Sequence, residues 1–479
     1  MMKFIDDLLS EFRVCFSRKA TFEWFVVIVA GLLLRTDYLG VTSFIRGLYL
    51  SPNYMALIGF FRSSGWTLED LTAQWCAIVV KYAPIVKQGS AVVIAGDGIK
   101  KSKEGRRMPG VKRLHQESEN SSKAEYIWGH MFGGVGILAE KSEKCFCIPL
   151  AMRLQDGVKA IFGWGNQENQ DERQCSHVVE MVRLAHSTAK SVGKAILLLD
   201  RLFLTVPALQ ALDEANANDV ILSIVTKAKS NCVAYCLPEE TAKKRGRPRK
   251  KGKSVKVICL FSSNAEQFAT AEVCLYGKME QVRYYSVDLL WGQKLYKKLR
   301  FVLVEFGGMQ SVLASTDLTL EPCAIIELYG RRFSIETMFR EMQQVVHALG
   351  YRFWSKCMPK RGRFRKKSDV EPLEDITSEG AQKRIRLAVK ATEGFVFCAT
   401  VAIGILQIIS LHFSGTEELR STRYLRTYRN TIASEATVAD FLHKSFFRLL
   451  ANSPSLAITR IISAKQSPSG DDFDFPSAA

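Results

Sequence analysis

The chain has 479 residues, is 47% hydrophobic, and carries 66 basic against 48 acidic residues, a formal net charge of +18. That length and apolar content exclude a disordered chain and allow two or three domains with large cores. The charge excess favours a polyanionic partner, nucleic acid ahead of a membrane surface.

Residues 1–88 place apolar side chains at helical spacing, as in Leu68, Leu71, Trp75, Ile78, Val79 and Tyr82. Four or five helices are expected, with boundaries near Arg35-Thr36 and Ser51-Pro52-Asn53. This all-α segment suits either DNA binding or dimerisation. The opening stretch Met1–Phe16 carries acids early and lacks the form of a signal peptide.

Near residue 90 the period changes from helical to extended. Ala91–Asp97 is a short apolar strand ending on an aspartate, followed by seven basic residues and one acid between Lys100 and Arg113. Tyr126–Leu138 and Glu143–Leu150 predict a hairpin, and 170–190 an amphipathic helix closed by Gly193. Ala195–Asp200 is a second apolar strand ending on an aspartate. A helix over 206–214 and a strand over Asp219–Val225 follow. The order β-β-β-α-β-α-β indicates a mixed sheet with helices packed on it.

Residues 228–310 predict a β-rich insertion, with strands at Lys256–Phe261, Glu272–Tyr276, Val282–Val287 and Phe301–Phe306. It holds eight basic residues in the eleven from Lys243 to Lys253. Arg245 and Arg247, flanking glycine and followed by proline, suit a narrow minor groove, and Lys250 and Lys251 extend the run. A solvated basic loop is the alternative.

The segment Tyr329–Val346 predicts a long helix. Tyr329, Arg332 and Glu336, spaced three and four apart, share one face, and Ile325, Ile326, Phe333, Met338, Phe339 and Met342 form an apolar face. A carboxylate, a guanidinium and a phenol suit a phosphodiester, since the carboxylate holds metal and the arginine forks onto phosphate. An ordinary Arg332–Glu336 surface pair is the alternative. Asp317 reads as a turn residue, and Glu327 and Glu341 lie off the stripe.

A second basic run, seven residues from Lys356 to Lys367, includes Arg361 and Arg363 and is interleaved with Trp354 and Phe364, as where bases are met. The remainder is helical, with Arg420, Arg423, Arg426 and Arg429 recurring every three residues, and the tail from Gln466 has a disordered composition. Phe395–Phe413 is 19 residues without Asp, Glu, Lys or Arg. It is read as a buried helix, the alternative being a membrane span. The twelve cysteines are scattered with no paired CxxC units, which argues against a zinc site and for buried thiols in a reducing cytoplasm. Histidines such as His115 and His130 read as structural or DNA-facing.

Asp97 and Asp200 at strand ends sit where α/β sheets place their sites. Three carboxylates brought together with Glu336 repel one another unless cations intervene, and two Mg²⁺ ions, with Mn²⁺ as a substitute, fit oxygen ligands and in-line phosphoryl displacement.

The stretches AGDGIKKSKEG, LLLDRLF and YGRRFSIETMFREMQ resemble the DDE transposases of bacterial insertion sequences, in the insertion-sequence-four branch with its Y-x2-R-x3-E-x6-K signature. The resemblance covers roughly residues 90–355. It implies an α/β fold: a ribonuclease H-like mixed sheet core with a β-rich insertion, plus N-terminal and C-terminal all-α regions. The expected divisions are 1–88, helical and DNA-binding; 89–227, first part of the core; 228–310, insertion; 311–355, second part of the core; 356–465, basic loop and helices; and 466–479, tail.

It also implies that Asp97, Asp200 and Glu336 are the catalytic metal-binding triad and that Tyr329 and Arg332 contact DNA phosphate. The last signature position falls on Gln343 instead of lysine, which keeps a hydrogen-bond donor and loses a charge. Lys100, Lys101, Arg245, Arg247, Lys250, Lys251, Arg361 and Arg363 are candidate DNA contacts. Trp291 is a candidate base-stacking residue, its alternative a packed core tryptophan. The implied partners are double-stranded DNA (terminal inverted repeats and target) and a second copy of the chain in a dimeric nucleoprotein complex, with no membrane and a cytoplasmic, nucleoid-associated location. A transposase-derived binding protein and a nuclease or resolvase without strand transfer are the alternatives.

Overall fold

The computed structural model describes residues 1–466 apart from 36, 38–39, 41–42, 51–52, 117–123, 143, 156, 159–160, 162, 165–175, 239–248, 363–372, 374 and 422–431. Five helices open the chain: α1 Met2–Ser10, α2 Lys19–Leu33, α3 Ser43–Gly47, α4 Tyr54–Arg62 and α5 Leu68–Tyr82. Their starts follow capping chemistry where the sequence supplies it. The Asn53 side chain accepts from Ala56 N–H, and Thr67 Oγ1 accepts from Asp70 N–H at 3.1 Å. The helix α2 is apolar on every side and is buried accordingly.

The sheet begins with β1 Lys87–Gln88, β2 Ala91–Ser102, β3 Lys112–His115, β4 Tyr126–Lys141 and β5 Lys144–Leu154. Then come α6 His177–Val192, β6 Ala195–Leu199, α7 Val206–Ala215 and β7 Leu222–Lys227. The inserted region supplies β8 Val233–Tyr235, β9 Ser254–Lys256, the short α8 Leu260–Ser263, β10 Ala269–Leu275, β11 Lys278–Trp291, β12 Lys297–Phe306 and β13 Met309–Ser315. The chain ends in helices: α9 Pro322–Arg331, α10 Ser334–Gln344, α11 Glu379–Phe413, α12 Glu417–Ser421, α13 Glu435–Ala451 and α14 Ala457–Ser463. The fold is therefore mixed α/β, with one large mixed sheet and helical regions at both ends.

The main strand path is β3-β4-β2-β6-β7-β13-β12-β11-β8-β9, with β5 also on β4, β1 on β2 and β10 on β11. The strands β2, β6 and β7 run parallel, while β4 pairs antiparallel with β2 and β5 antiparallel with β4. The strand β6, AILLL, is buried at every position, as a parallel strand covered on both faces requires. Gly96 packs toward Met181 of α6 and Gly134 toward Phe339 of α10, so helices cover both faces.

Four expectations change. The strand carrying Asp97 does not end there: β2 continues to Ser102 because β4 pairs with it as far as Ser102↔Gly129. The stretch expected as a strand over Lys256–Phe261 is a short strand followed by a 3₁₀ turn and α8, since alternate burial stops at Val257. The single long helix is two, with i→i−3 bonds at the junction, Arg332 N–H to Tyr329 O at 3.1 Å and Ile335 N–H to Arg332 O at 3.2 Å. Phe333, placed on the apolar face, lies at that junction and is 57% exposed.

The insertion has a core of its own around Phe301, Leu303, Leu289 and Val257, yet β13 pairs antiparallel with β7, so the sheet runs through without a break. Similarly, the opening helices share the principal core with α11 and β5. Trp75 of α5 donates to Pro149 O at 2.8 Å, and a Cβ at Gly404 of α11 would come within 2.3 Å of its ring. The helix α11 is long and apolar enough to cross a membrane, and its apolar window is completely buried inside the protein.

Candidate active site

The strand β2 brings Asp97, Ile99 and Lys101 to one face by its two-residue alternation. Asp97 pairs in register with Gly134 of β4, and the parallel pairing of β2 with β6 stops just before it, at Ala95↔Leu198. Asp200 follows β6 directly. Its side chain accepts from Arg201 N–H at the start of a 3₁₀ turn, and its carbonyl accepts from Thr226 Oγ1 at 2.9 Å. The two aspartates thus leave neighbouring strands at the edge where the parallel portion ends.

Glu336 arrives from α10. That helix packs across β2 and β5 through Ile335, Met338, Phe339 and Met342, all buried. The glycines of β4 permit the close approach. A Cβ at Gly134 would lie 2.8 Å from Phe339, and one at Gly136 would lie 3.0 Å from the Met338 sulfur. Glu336 stands in the first turn of α10, where the amide ends of the helix favour negative charge.

Arg332 joins the group. Its Nη2 donates to Asp97 Oδ2 at 2.6 Å and its Nη1 to Glu336 Oε1 at 2.7 Å. The expected i,i+4 pair is therefore present, and it extends to the strand. Burial pushes the Asp97 carboxyl above its ordinary range. Arg332 and the Gly98 N–H, which donates to Oδ1 at 2.7 Å, oppose the rise, and the like charges of Asp200 and Glu336 add to it. For Arg332 burial works against the charged form, but Asp97, Asp200, Tyr329 and Glu336 together outweigh it, so the guanidinium is held more firmly protonated than usual. Burial raises the Tyr329 phenol to about 12, with Arg332 opposing and Asp200 adding to the rise. Asp97, Asp200, Glu336, Tyr329 and Arg332 are thus electrostatic neighbours.

Among the described residues no group of three or more His, Cys, Asp and Glu side chains is already arranged around a metal position. The donor set is nonetheless all carboxylate oxygen, the type Mg²⁺ takes. The space between Asp97 and Glu336 is spanned by Arg332, so a cation bound by both would have to displace one of its two ion pairs.

Gln343, at the far end of α10, accepts from Lys101 Nζ at 3.2 Å. The cation missing from the helix stripe is thus supplied by β2. Lys103, one alternation further, donates to Leu349 O at 2.6 Å and Tyr351 O at 3.2 Å, and lies 3.6 Å from the Tyr351 ring centroid. This Asp97–Lys101–Lys103 stripe escaped sequence reasoning because the strand was ended at Asp97. The alternation of IKKSK was the available signal.

The other candidates are dispersed. Lys100 points to the opposite face and donates to His115 O at 2.8 Å. Lys251 lies over the rings of Tyr235 and Tyr296, at 3.9 and 5.1 Å, and Lys250 is exposed. Arg361, expected to face DNA, is a correction: it is only 8% exposed, its segment tied down by Arg361 N–H to Arg106 O at 3.0 Å. Trp291 is partly buried against the insertion core, the packed alternative. Arg245, Arg247, Arg363 and Phe364 lie outside the described residues, as do Arg423, Arg426 and Arg429. His130 is buried and structural, bonded to Tyr351 Oη at 2.6 Å and Pro109 O at 2.8 Å. The acids set aside behave as expected. Asp317 accepts from Thr319 N–H, Glu327 from Cys274 N–H, and Glu341 pairs with Arg340.

Compared with family models, curated proteins and solved structures, the chain matches none.

Proposed function

We propose that the protein is a DNA transposase that cuts at the ends of a mobile element and joins the freed ends to target DNA. The observation that carries this reading is the convergence of Asp97, Asp200 and Glu336 from two adjacent strands and a helix, with Arg332 and Tyr329 beside them. The sheet supports it too. The order β5-β4-β2-β6-β7, antiparallel then parallel, is compatible with a ribonuclease H-like core, and β8–β13 lie between Asp200 and Glu336 as an insertion would.

On this reading Asp97, Asp200 and Glu336 hold Mg²⁺, which when bound supplies a polarised oxygen nucleophile and stabilises the leaving oxygen. Arg332, released from one carboxylate, forks onto the scissile phosphate, and the Tyr329 phenol, kept protonated, donates to a neighbouring phosphate oxygen. In the first step a water oxygen bonds to phosphorus, the P–O3′ bond breaks, and a 3′-hydroxyl and a 5′-phosphate result. In the second, that 3′-oxygen attacks a target phosphodiester, whose own 3′-oxygen leaves. Each step exchanges one P–O bond for another, so no external energy source is needed.

The test is to incubate the full chain with DNA from the borders of its own gene and Mg²⁺, beside Glu336→Gln. Nicking at the element ends by the wild type alone is expected. If the wild type cuts no end, or the variant cuts equally well, the assignment fails. Nicking without joining to a target plasmid would instead identify a nuclease.

A further inference from the structure

We propose that the cleft beside the carboxylates binds an unpaired stretch of one DNA strand, its phosphates on Arg106, Arg352 and Lys360 and a base on the Trp354 ring. The proposal rests on the reading of the protein as a DNA-processing enzyme and specifies how the DNA leaves the site. The cleft has a volume of about 780 Å³ and begins at Lys101 and Gln343, at the end of α10. That size encloses a drug-sized molecule. It admits a few nucleotides of a single strand.

Its lining carries six cationic side chains, Lys101, Lys103, Arg106, Arg107, Arg352 and Lys360, and one carboxylate, Glu104. Two kinds of cation are present. Lys103 and Arg107 hold the walls together, Arg107 by donating to Lys356 O at 2.7 Å and Met358 O at 3.1 Å. Arg106, Arg352 and Lys360 are exposed and have no side-chain partner among the described residues. Unpaired guanidinium groups on a braced wall are preorganised for phosphate.

Trp354, also in the lining, is 51% exposed and makes no ring contact among the described residues, although Tyr351 and Phe353 beside it are buried and stacked. An exposed indole amid basic side chains is the combination that single-strand binding uses, stacking for the base and charge for the backbone. A duplex offers no free base face, so the ring selects unpaired DNA. The walls do not depend on a ligand. Backbone bonds from Ser355 N–H to Arg107 O and from Arg361 N–H to Arg106 O join the two sides.

The experiment measures anisotropy of an end-labelled, 20-nucleotide mixed-sequence strand with the full chain in EDTA, so that binding is read without cutting. The wild type is expected to bind it. Arg106→Glu combined with Arg352→Glu should weaken binding at least tenfold and lower the salt slope by about 1.4, two phosphate contacts at about 0.7 each. Trp354→Ala should weaken it about tenfold and Trp354→Phe far less. Lys190→Glu combined with Lys194→Glu, on exposed residues of α6 and its C-terminal end, makes the same change in net charge and should leave most of the affinity. No strand binding by the wild type, equal losses in the two charge reversals, or full affinity in Trp354→Ala would overturn the proposal. The cutting assay with border DNA is read separately. Loss of strand binding in the cleft variants beside a wild type that never cuts would sink the transposase reading and leave the cleft. Normal strand binding by variants of an active enzyme would do the reverse.

Discussion

At Asp97 negative charge is partly offset inside the protein, because one half-buried guanidinium bridges two carboxylates. Four residues further along the same strand face, at Lys101, the sign reverses, and the cleft that starts there collects cations against a single carboxylate. The first region ties Asp97 and Glu336 to one guanidinium, whose buried Nε has no hydrogen-bond partner among the described residues, and must break one of those ion pairs to seat a cation between them. The second is held in shape by backbone carbonyls and leaves Arg106, Arg352 and Lys360 without a side-chain partner among the described residues. On the proposed reading, the difference separates a site where chemistry is prepared from a surface where a ligand is gripped, and it divides the arginines into structural and ligand-seeking groups.

The sharpest division between the two regions is chemical. Asp97→Asn or Glu336→Gln should lower end nicking by about a thousandfold or more, since each removes a carboxylate from the proposed metal set, while strand binding in EDTA changes little. Comparable losses of nicking and binding in a gel-based assay would erase the distinction.

Stability should divide the arginines next. Arg332→Ala leaves the half-buried Asp97 carboxylate without its ion pair and should cost about 2 kcal/mol in denaturant unfolding, less than a fully buried pair because Glu336 remains 43% exposed. Arg352→Ala, on an exposed side chain, should stay within about 0.5 kcal/mol. Equal costs would show that the guanidinium between the carboxylates is not holding them.

Thermal melts give a smaller signal. Mg²⁺ at about a hundredfold over its Kd should raise the Tm by about 3 °C, and Glu336→Gln should remove the shift. An unchanged shift in the variant would place the ion elsewhere.

The weakest expected effect is with pH. Burial, with Lys101 and Arg352 adding repulsion, brings Lys103 down to about 7. It is charged below that pH and neutral above, so affinity for the oligonucleotide should fall by a factor of a few between pH 6 and 8, and Lys103→Arg should lose that dependence. The linkage to folding has the opposite sense. The unfolded chain holds this proton up to about 10.5 and the folded one only to about 7, so the Lys103 contribution makes the DNA-free protein more stable as pH rises through that window. A melt series in which Lys103→Met shows the same pH slope would remove Lys103 from the account.

Much of the architecture was legible from local patterns. The β6 run is apolar at every position and bounded by Gly193 and Asp200, so its place inside a covered sheet followed from composition. The helices α6 and α7 announced themselves by their period, and Gly193 marked the end of α6. The Tyr329–Arg332–Glu336 spacing survived the break between α9 and α10, because the junction residues keep right-handed helical dihedrals and only tighten the turn.

What failed depended on partners distant in sequence. The alternation of IKKSK is a weak local sign that β2 runs on past Asp97, since its last residues are polar and are kept extended by pairing with a glycine-rich β4. Phe333 has core chemistry and the wrong angular position once the helix is interrupted. Arg361 has surface chemistry and is drawn inside by the cleft wall. Membership of the carboxylate group is likewise a tertiary fact, set by how close α10 lies to the sheet.

That closeness is governed by missing atoms. Along β4, Gly134 and Gly136 act as a gauge between sheet and helix. A single methyl at either would work as a shim under Phe339 or Met338 and shift Glu336 relative to Asp97 without altering any charged residue. The spacing of the carboxylates is therefore adjustable from uncharged positions in the floor beneath them, so a survey confined to ionisable side chains would miss the residues that set the site's dimensions.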